Sequence, residues 1–140
     1  MPEMAYEVVD HTADIGLYAY GKTLPDLFAH AAQGMESLMV SPEQVRNQES
    51  RDMGVEGHDL VSLLINWLNA LIVLFDTDYL LFRQFDIHSL SETHLQARAY
   101  GEPYDAQRHD LSCAIKAATF HEASVEPVND GYQATIIFDI

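Results

Sequence analysis

Between residues 60 and 75 the apolar residues Leu60, Leu63, Leu64, Trp67, Leu68, Leu71, Ile72 and Phe75 recur every three or four positions, the spacing of one helix face. Val61, Ile65 and Val73 widen that stripe. The pattern therefore predicts the more deeply buried of the chain's two helices. Asp59 stands where a carboxylate can cap its first turn, and Asp76-Thr77-Asp78 offers a turn to end it. A second, narrower stripe runs through Leu24, Phe28, Ala31, Met35 and Leu38. It opens on Thr23 as a hydroxyl cap, Pro25 in the first turn and Asp26 at the third position, facing the positive end of the helix dipole.

The remaining periodic segments alternate as strands do. Residues 6–9 and 15–22 form one such pair around the polar corner Asp10-His11-Thr12-Ala13-Asp14. Residues 42–50 read as a polar loop and 51–57 as a weak strand. Residues 81–90, 93–104, 117–126 and 132–139 read as strands, the last two joined around Asn129-Asp130-Gly131, a strong hairpin signal. Two helices and about six strands predict an α+β fold, with the helices packed on one face of a mainly antiparallel or mixed sheet. With 140 residues and no repeat or linker-like segment, the chain reads as a single domain, 1–140.

The charge inventory narrows the function. Seven Lys and Arg stand against 22 Asp and Glu, a formal net charge of −15, and the basic residues are scattered. Such a field repels phosphate backbones, so tight binding of nucleic acid by this chain alone is not expected. A cation or a basic protein partner is. The lone Cys113 closes no intrachain disulfide and supplies no Cys-rich zinc site, which fits a reduced, cytoplasmic protein. The acidic N-terminus lacks a signal peptide's basic region, and the apolar run of residues 63–75 falls short of a membrane span. The chain also lacks the glycine-rich dinucleotide and P-loop patterns and the Gly-x-Ser-x-Gly elbow. No catalytic residue is assigned.

Three places could carry chemistry. The corner at residues 10–14 reads either as a self-satisfied polar turn or as a cation site, with Asp14 and Asp10 as hard oxygen donors. At the other end the strand runs straight into Asp139 and Ile140, which reads as a frayed end or as two adjacent anions, the Asp139 side chain and the Ile140 main-chain carboxylate. Brought near Asp14, these would form a pocket whose repulsion a divalent cation relieves. Lys116 and His121 flank Phe120. On a regular strand their separation of five places them on opposite faces, so they would not form one acid/base pair.

Four ordered motifs carry a resemblance: Asp10-His11-Thr12-Ala13-Asp14-Ile15-Gly16, Tyr100-Gly101-Glu102-Pro103, Lys116-Ala117-Ala118-Thr119-Phe120-His121 and the Asp139-Ile140 end. Together with the apolar helix and Leu74-Phe75-Asp76-Thr77-Asp78, they resemble the archease family over nearly the whole chain. Phe120 departs from the family's usual Tyr, and Ala123-Ser124 stand where a larger apolar residue is usual. The resemblance implies an accessory protein rather than an enzyme. It would activate the tRNA-splicing RNA ligase that joins 3′-phosphate or 2′,3′-cyclic phosphate ends to 5′-hydroxyl ends, promoting guanylylation and turnover of the ligase. It also implies a divalent-metal site at Asp14, Asp139 and Ile140, with Ca²⁺ expected and Mg²⁺ or Mn²⁺ as alternatives. Lys116, His121, Asp10 and His11 are then candidate contacts to the ligase. Alternative readings are a chaperone of a tRNA methyltransferase, or a small metal-dependent hydrolase using Asp14 and His121.

Overall fold

The computed structural model describes residues 5–10 and 14–140. Its elements follow in the order β1 (Tyr6–Asp10), β2 (Asp14–Gly21), α1 (Leu24–Met39), β3 (Glu49–Glu56), α2 (Leu60–Asp78), β4 (Leu80–Leu90), β5 (His94–Pro103), β6 (Ala117–Val128) and β7 (Gly131–Asp139), with a 3₁₀ turn at Pro42–Gln44. The α+β class is as expected, but these strands divide over two antiparallel sheets rather than one. The first is ordered β1-β2-β7-β6 and the second β3-β5-β4. Both helices touch both sheets, so each sheet gives one face to a shared core.

Local chemistry sets the helix ends. The Asp26 N–H donates to the Thr23 hydroxyl at 3.2 Å, and Asp59 with Ser62 forms a reciprocal capping box closed by the Ser62 N–H at 2.7 Å. The second helix runs through Asp76 to Asp78 instead of ending in a turn there. Tyr79 stops it in the left-handed conformation (φ 57°), and its N–H returns to the Phe75 carbonyl. In the Asn129-Asp130 hairpin, Gly131 takes φ 152°, which favours glycine.

Leu27, Phe28, Ala31, Ala32 and Met35 of α1 meet Leu17, Ala19, Ile136 and Phe138 of the first sheet in the core. From α2, the Trp67 indole N–H donates to the Phe28 carbonyl at 3.1 Å, and its ring meets Phe85 of β4 edge-on at 5.9 Å. That side chain ties the two helices to the second sheet. The wide stripe does not make α2 the more buried helix: each helix buries eight residues, and Val73 is 54% exposed. At 19 residues with mean hydropathy 1.8, α2 is also long and apolar enough to cross a membrane, contrary to the length argument from residues 63–75. Its packing identifies it as a core helix instead.

Candidate metal centre and partner surface

The antiparallel register of β2 and β7 sets Ile15 opposite Phe138, Leu17 opposite Ile136 and Ala19 opposite Ala134, and Leu17 lies against α1. Alternation then turns Asp14 and Asp139, themselves directly opposite, to the other face. Asp14 is half-buried and Asp139 exposed. Directly opposed positions hold their Cβ atoms about 5 Å apart, and like charges there are destabilising. Two hard oxygen donors so placed fit a cation such as Ca²⁺ or Mg²⁺ and lack the sulfur that softer ions prefer. Among the described residues no group of three or more His, Cys, Asp or Glu side chains comes together. A cation between Asp14 and Asp139 therefore needs further oxygens, from main chain or water. Asp10 pairs in register with Ile15. Its side chain, and His11 altogether, lie outside the described residues.

β6 brings Lys116 to the same end. Ala117 is the register partner of Asp139, and the Lys116 N–H donates to the Asp139 carbonyl at 2.8 Å. The Lys116 side chain is exposed. Asn69 of α2 holds the next residue from the side, its amide donating to the Ala118 carbonyl (3.0 Å) and accepting from the Ala118 N–H (2.8 Å). The regular strand that put Lys116 and His121 on opposite faces does not persist between them. The β6–β7 register slips between Thr119 and Ser124, and Glu122 sits in the left-handed region at φ 53°. The slip raises a bulge on which Phe120 is 60% exposed and His121 lies 3.8 Å from the Glu122 carboxylate. Lys116 and the two aspartates thus gather at one end of the sheet, with His121 beyond the bulge.

Two buried carboxyl groups are further features to which the sequence analysis gave no role, although Glu102 stands in the Tyr100-Gly101-Glu102-Pro103 motif. Glu102 of β5 is 2% exposed, and its Oε2 accepts from the Arg46 N–H (2.7 Å) and from His109 Nε2–H (3.0 Å), while Oε1 takes Arg108. His109 is held in that tautomer because its Nδ1 accepts from the Asp105 N–H at 2.8 Å. Burial pushes the Glu102 carboxyl up, but the Arg46 N–H, His109 and Arg108 outweigh it and hold the group below its ordinary value. Beside it, Gly101 passes so close to the Leu81 carbonyl that no Cβ would fit. Glu36 of α1 is also 2% exposed; among the described residues it accepts one bond, from the Phe82 N–H to Oε1 at 2.9 Å, and Oε2 has no partner. Burial pushes its carboxyl up to about 8, against the opposing pull of the Phe82 N–H. A signal for Glu36 existed, since Phe28, Ala32 and Glu36 follow at four-residue spacing on the inner face of α1. For Glu102 the signal was its motif and not its periodicity: alternation with buried Leu95, Ala97, Ala99 and Gly101 assigns it to the outer face, where its loop partners Arg108 and His109 cover it.

The model of the Archease protein family matches residues 6–140. The archease of Methanosarcina barkeri is 34% identical over 96% of this chain and 95% of its own length, and that of Pyrococcus abyssi 37% identical over 96% and 98%. The solution structure of Methanobacterium thermoautotrophicum protein 1598 superposes with a TM-score of 0.84 at 32% identity, covering 97% of this chain and 99% of the other. The crystal structure of a Thermotoga maritima archease, described there as a possible chaperone, shares the fold with a TM-score of 0.62 at 17% identity, over 100% of this chain and 98% of that one. A match from β1 to the last residue, with relatives above 30% identity along almost their whole lengths, establishes that the chain belongs to the archease family.

Proposed function

We propose that this protein activates a tRNA-splicing RNA ligase of the cytoplasm, promoting its guanylylation by GTP and its turnover, and is not itself the catalyst. The observation that carries the reading is the direct opposition of Asp14 and Asp139 beside Lys116 at one sheet end. Family membership supports it, as does the net charge of −15, which suits a basic enzyme surface and disfavours RNA. Asp14, Asp139 and the Ile140 carboxylate would hold a divalent cation, Ca²⁺ first and Mg²⁺ or Mn²⁺ as alternatives. When bound, the ion supplies a local positive charge on an otherwise anionic surface. Lys116 offers its ammonium to an acidic group of the ligase, and the exposed bulge at Phe120 and His121 adds an aromatic anchor of the kind that dominates interfaces.

The decisive experiment measures ligase guanylylation with wild-type protein, Asp14→Ala and Asp139→Ala at two salt concentrations. Stimulation should be strong with wild type, lost in both variants, and weaker at the higher salt, because the encounter is screened over about 8 Å at physiological ionic strength. Equal stimulation by all three proteins would overturn the role of the carboxylate pair. Stimulation of a tRNA methyltransferase instead of the ligase, or turnover by this protein alone, would replace the whole reading. Residues appended after Ile140 should weaken Ca²⁺ binding in calorimetry; unchanged affinity would remove Ile140 from the ligand set.

A further inference from the structure

A second cleft lies at the other end of the β1–β2 ladder from Asp14, beside Tyr6, which pairs with Ala19. Its volume is about 240 Å³, enough for a molecule of a few heavy atoms. Glu36 and Gln33 of α1 line it, and Val40, Pro42 and Phe82 give it apolar walls. Glu36 Oε1 is engaged by the Phe82 N–H, so the open position on the buried carboxyl is Oε2, which has no partner among the described residues. A buried polar atom left alone costs roughly 1–3 kcal/mol, so natural proteins supply a partner from somewhere.

The wall facing Glu36 is also irregular. The β4–β5 register slips between Phe82 and Gln84, which makes Arg83 the extra residue of a bulge. Bulges re-aim side chains and concentrate beside functional sites. Arg83 lines the same cleft and uses one donor on the Val45 carbonyl at 3.3 Å, with the other guanidinium donors to spare. A buried carboxyl and a guanidinium thus border one small cleft without pairing with each other.

We propose that this cleft binds a small zwitterion of amino-acid size, its carboxylate meeting Arg83 and its ammonium group donating to Glu36 Oε2, the Glu36 carboxyl releasing its proton to solvent as the ligand arrives. The apolar walls accommodate a short side chain. The cleft is independent of the Asp14–Asp139 pair and of the ligase reading.

The test is an amide NMR titration of the wild-type protein with the common α-amino acids and with β-alanine, followed by calorimetry on the best of them. At least one should give saturable shifts at Gln33 and Arg83, with Kd rising tenfold or more in both Glu36→Gln and Arg83→Ala. An equimolar mixture of methylamine and acetate should bind far more weakly than the joined molecule, because linking the two charges removes one association cost. Arg83 is exposed, so Arg83→Ala keeps the test decisive even if Glu36→Gln folds poorly. No saturable shift from any probe, as expected if ordered water alone satisfies Oε2, would overturn the proposal. So would binding that survives both substitutions.

Discussion

Glu36 and Glu102 are equally hidden from solvent, and their carboxyl groups move in opposite directions. Glu102 sits in a pocket of donors, with a backbone N–H, an imidazole N–H and a guanidinium converging on its two oxygens. Glu36 sits among apolar side chains with one N–H. Neither side chain meets solvent, but Glu36 lies deeper in the molecule, so depth of burial and the number of donors together decide which carboxyl stays charged. The comparison also separates two purposes. A fully satisfied acid fastens the 104–110 segment to β5, whereas an under-satisfied one leaves capacity facing a cleft.

Removing Glu102 should break the comparison most severely. Glu102→Ala leaves Arg108 and the His109 Nε2–H without their acceptor and orphans the Arg46 N–H, so a loss on the order of 3–5 kcal/mol is expected, as for other broken buried pairs. Thermal unfolding should show the midpoint falling by roughly 10 °C or more. A shift of a degree or two would mean that the cluster contributes little.

The next effect concerns pH. The Glu36 carboxyl is raised from 4.5 to about 8, so its contribution to stability is fully present below pH 4.5 and declines as pH rises towards 8. Glu102 is lowered, so its contribution is present above its unfolded value near 4.5 and is lost as pH falls through the folded one. Denaturant midpoints between pH 4.5 and 8 should decline in wild type and flatten in Glu36→Gln, by a few kcal/mol across the window. An equally steep decline in the variant would assign that limb to another group.

A third carboxyl environment sharpens the contrast, since Asp139 is the register partner of another aspartate. Asp139→Asn should raise the cation-free stability by about 0.2–1 kcal/mol and abolish any stabilisation by added Ca²⁺. Calorimetric melts with and without Ca²⁺ measure both, and an undiminished Ca²⁺ effect would remove Asp139 from the site. The smallest effect belongs to Arg98, whose two-pronged bond to Asp52 (2.7 and 3.2 Å) lies on the surface. Arg98→Ala should leave the thermal midpoint essentially unchanged, since solvent screens such pairs. A clear drop would show that geometry alone can outweigh exposure.

Much of this was legible in the chain because it depends on neighbours in sequence. The Thr23 and Asp59 caps, the two apolar stripes and the Asn129-Asp130 turn are local signals, and all three are present in the fold. The division into two sheets was not legible, because alternation tells which face a residue takes and not which strand lies beside it. The pairing of Asp14 with Asp139 could be suggested by charge but needed the β2–β7 register to become a geometry. The bulge at Phe120–Ala123 had no sequence signal in Gly or Pro. Only the partner strand reveals the slipped count.

Asn69 has a consequence for association between copies. By matching both the N–H and the C=O of Ala118, its side chain imitates one residue of a neighbouring strand on the outermost strand of the first sheet. The slip that follows after Thr119 spoils the repeat a few residues on. An incoming strand finds its first docking position taken and the next out of step, so the sheet resists templated growth along that border. A helix side chain and an irregular strand together keep the border with Lys116 from being consumed by self-assembly.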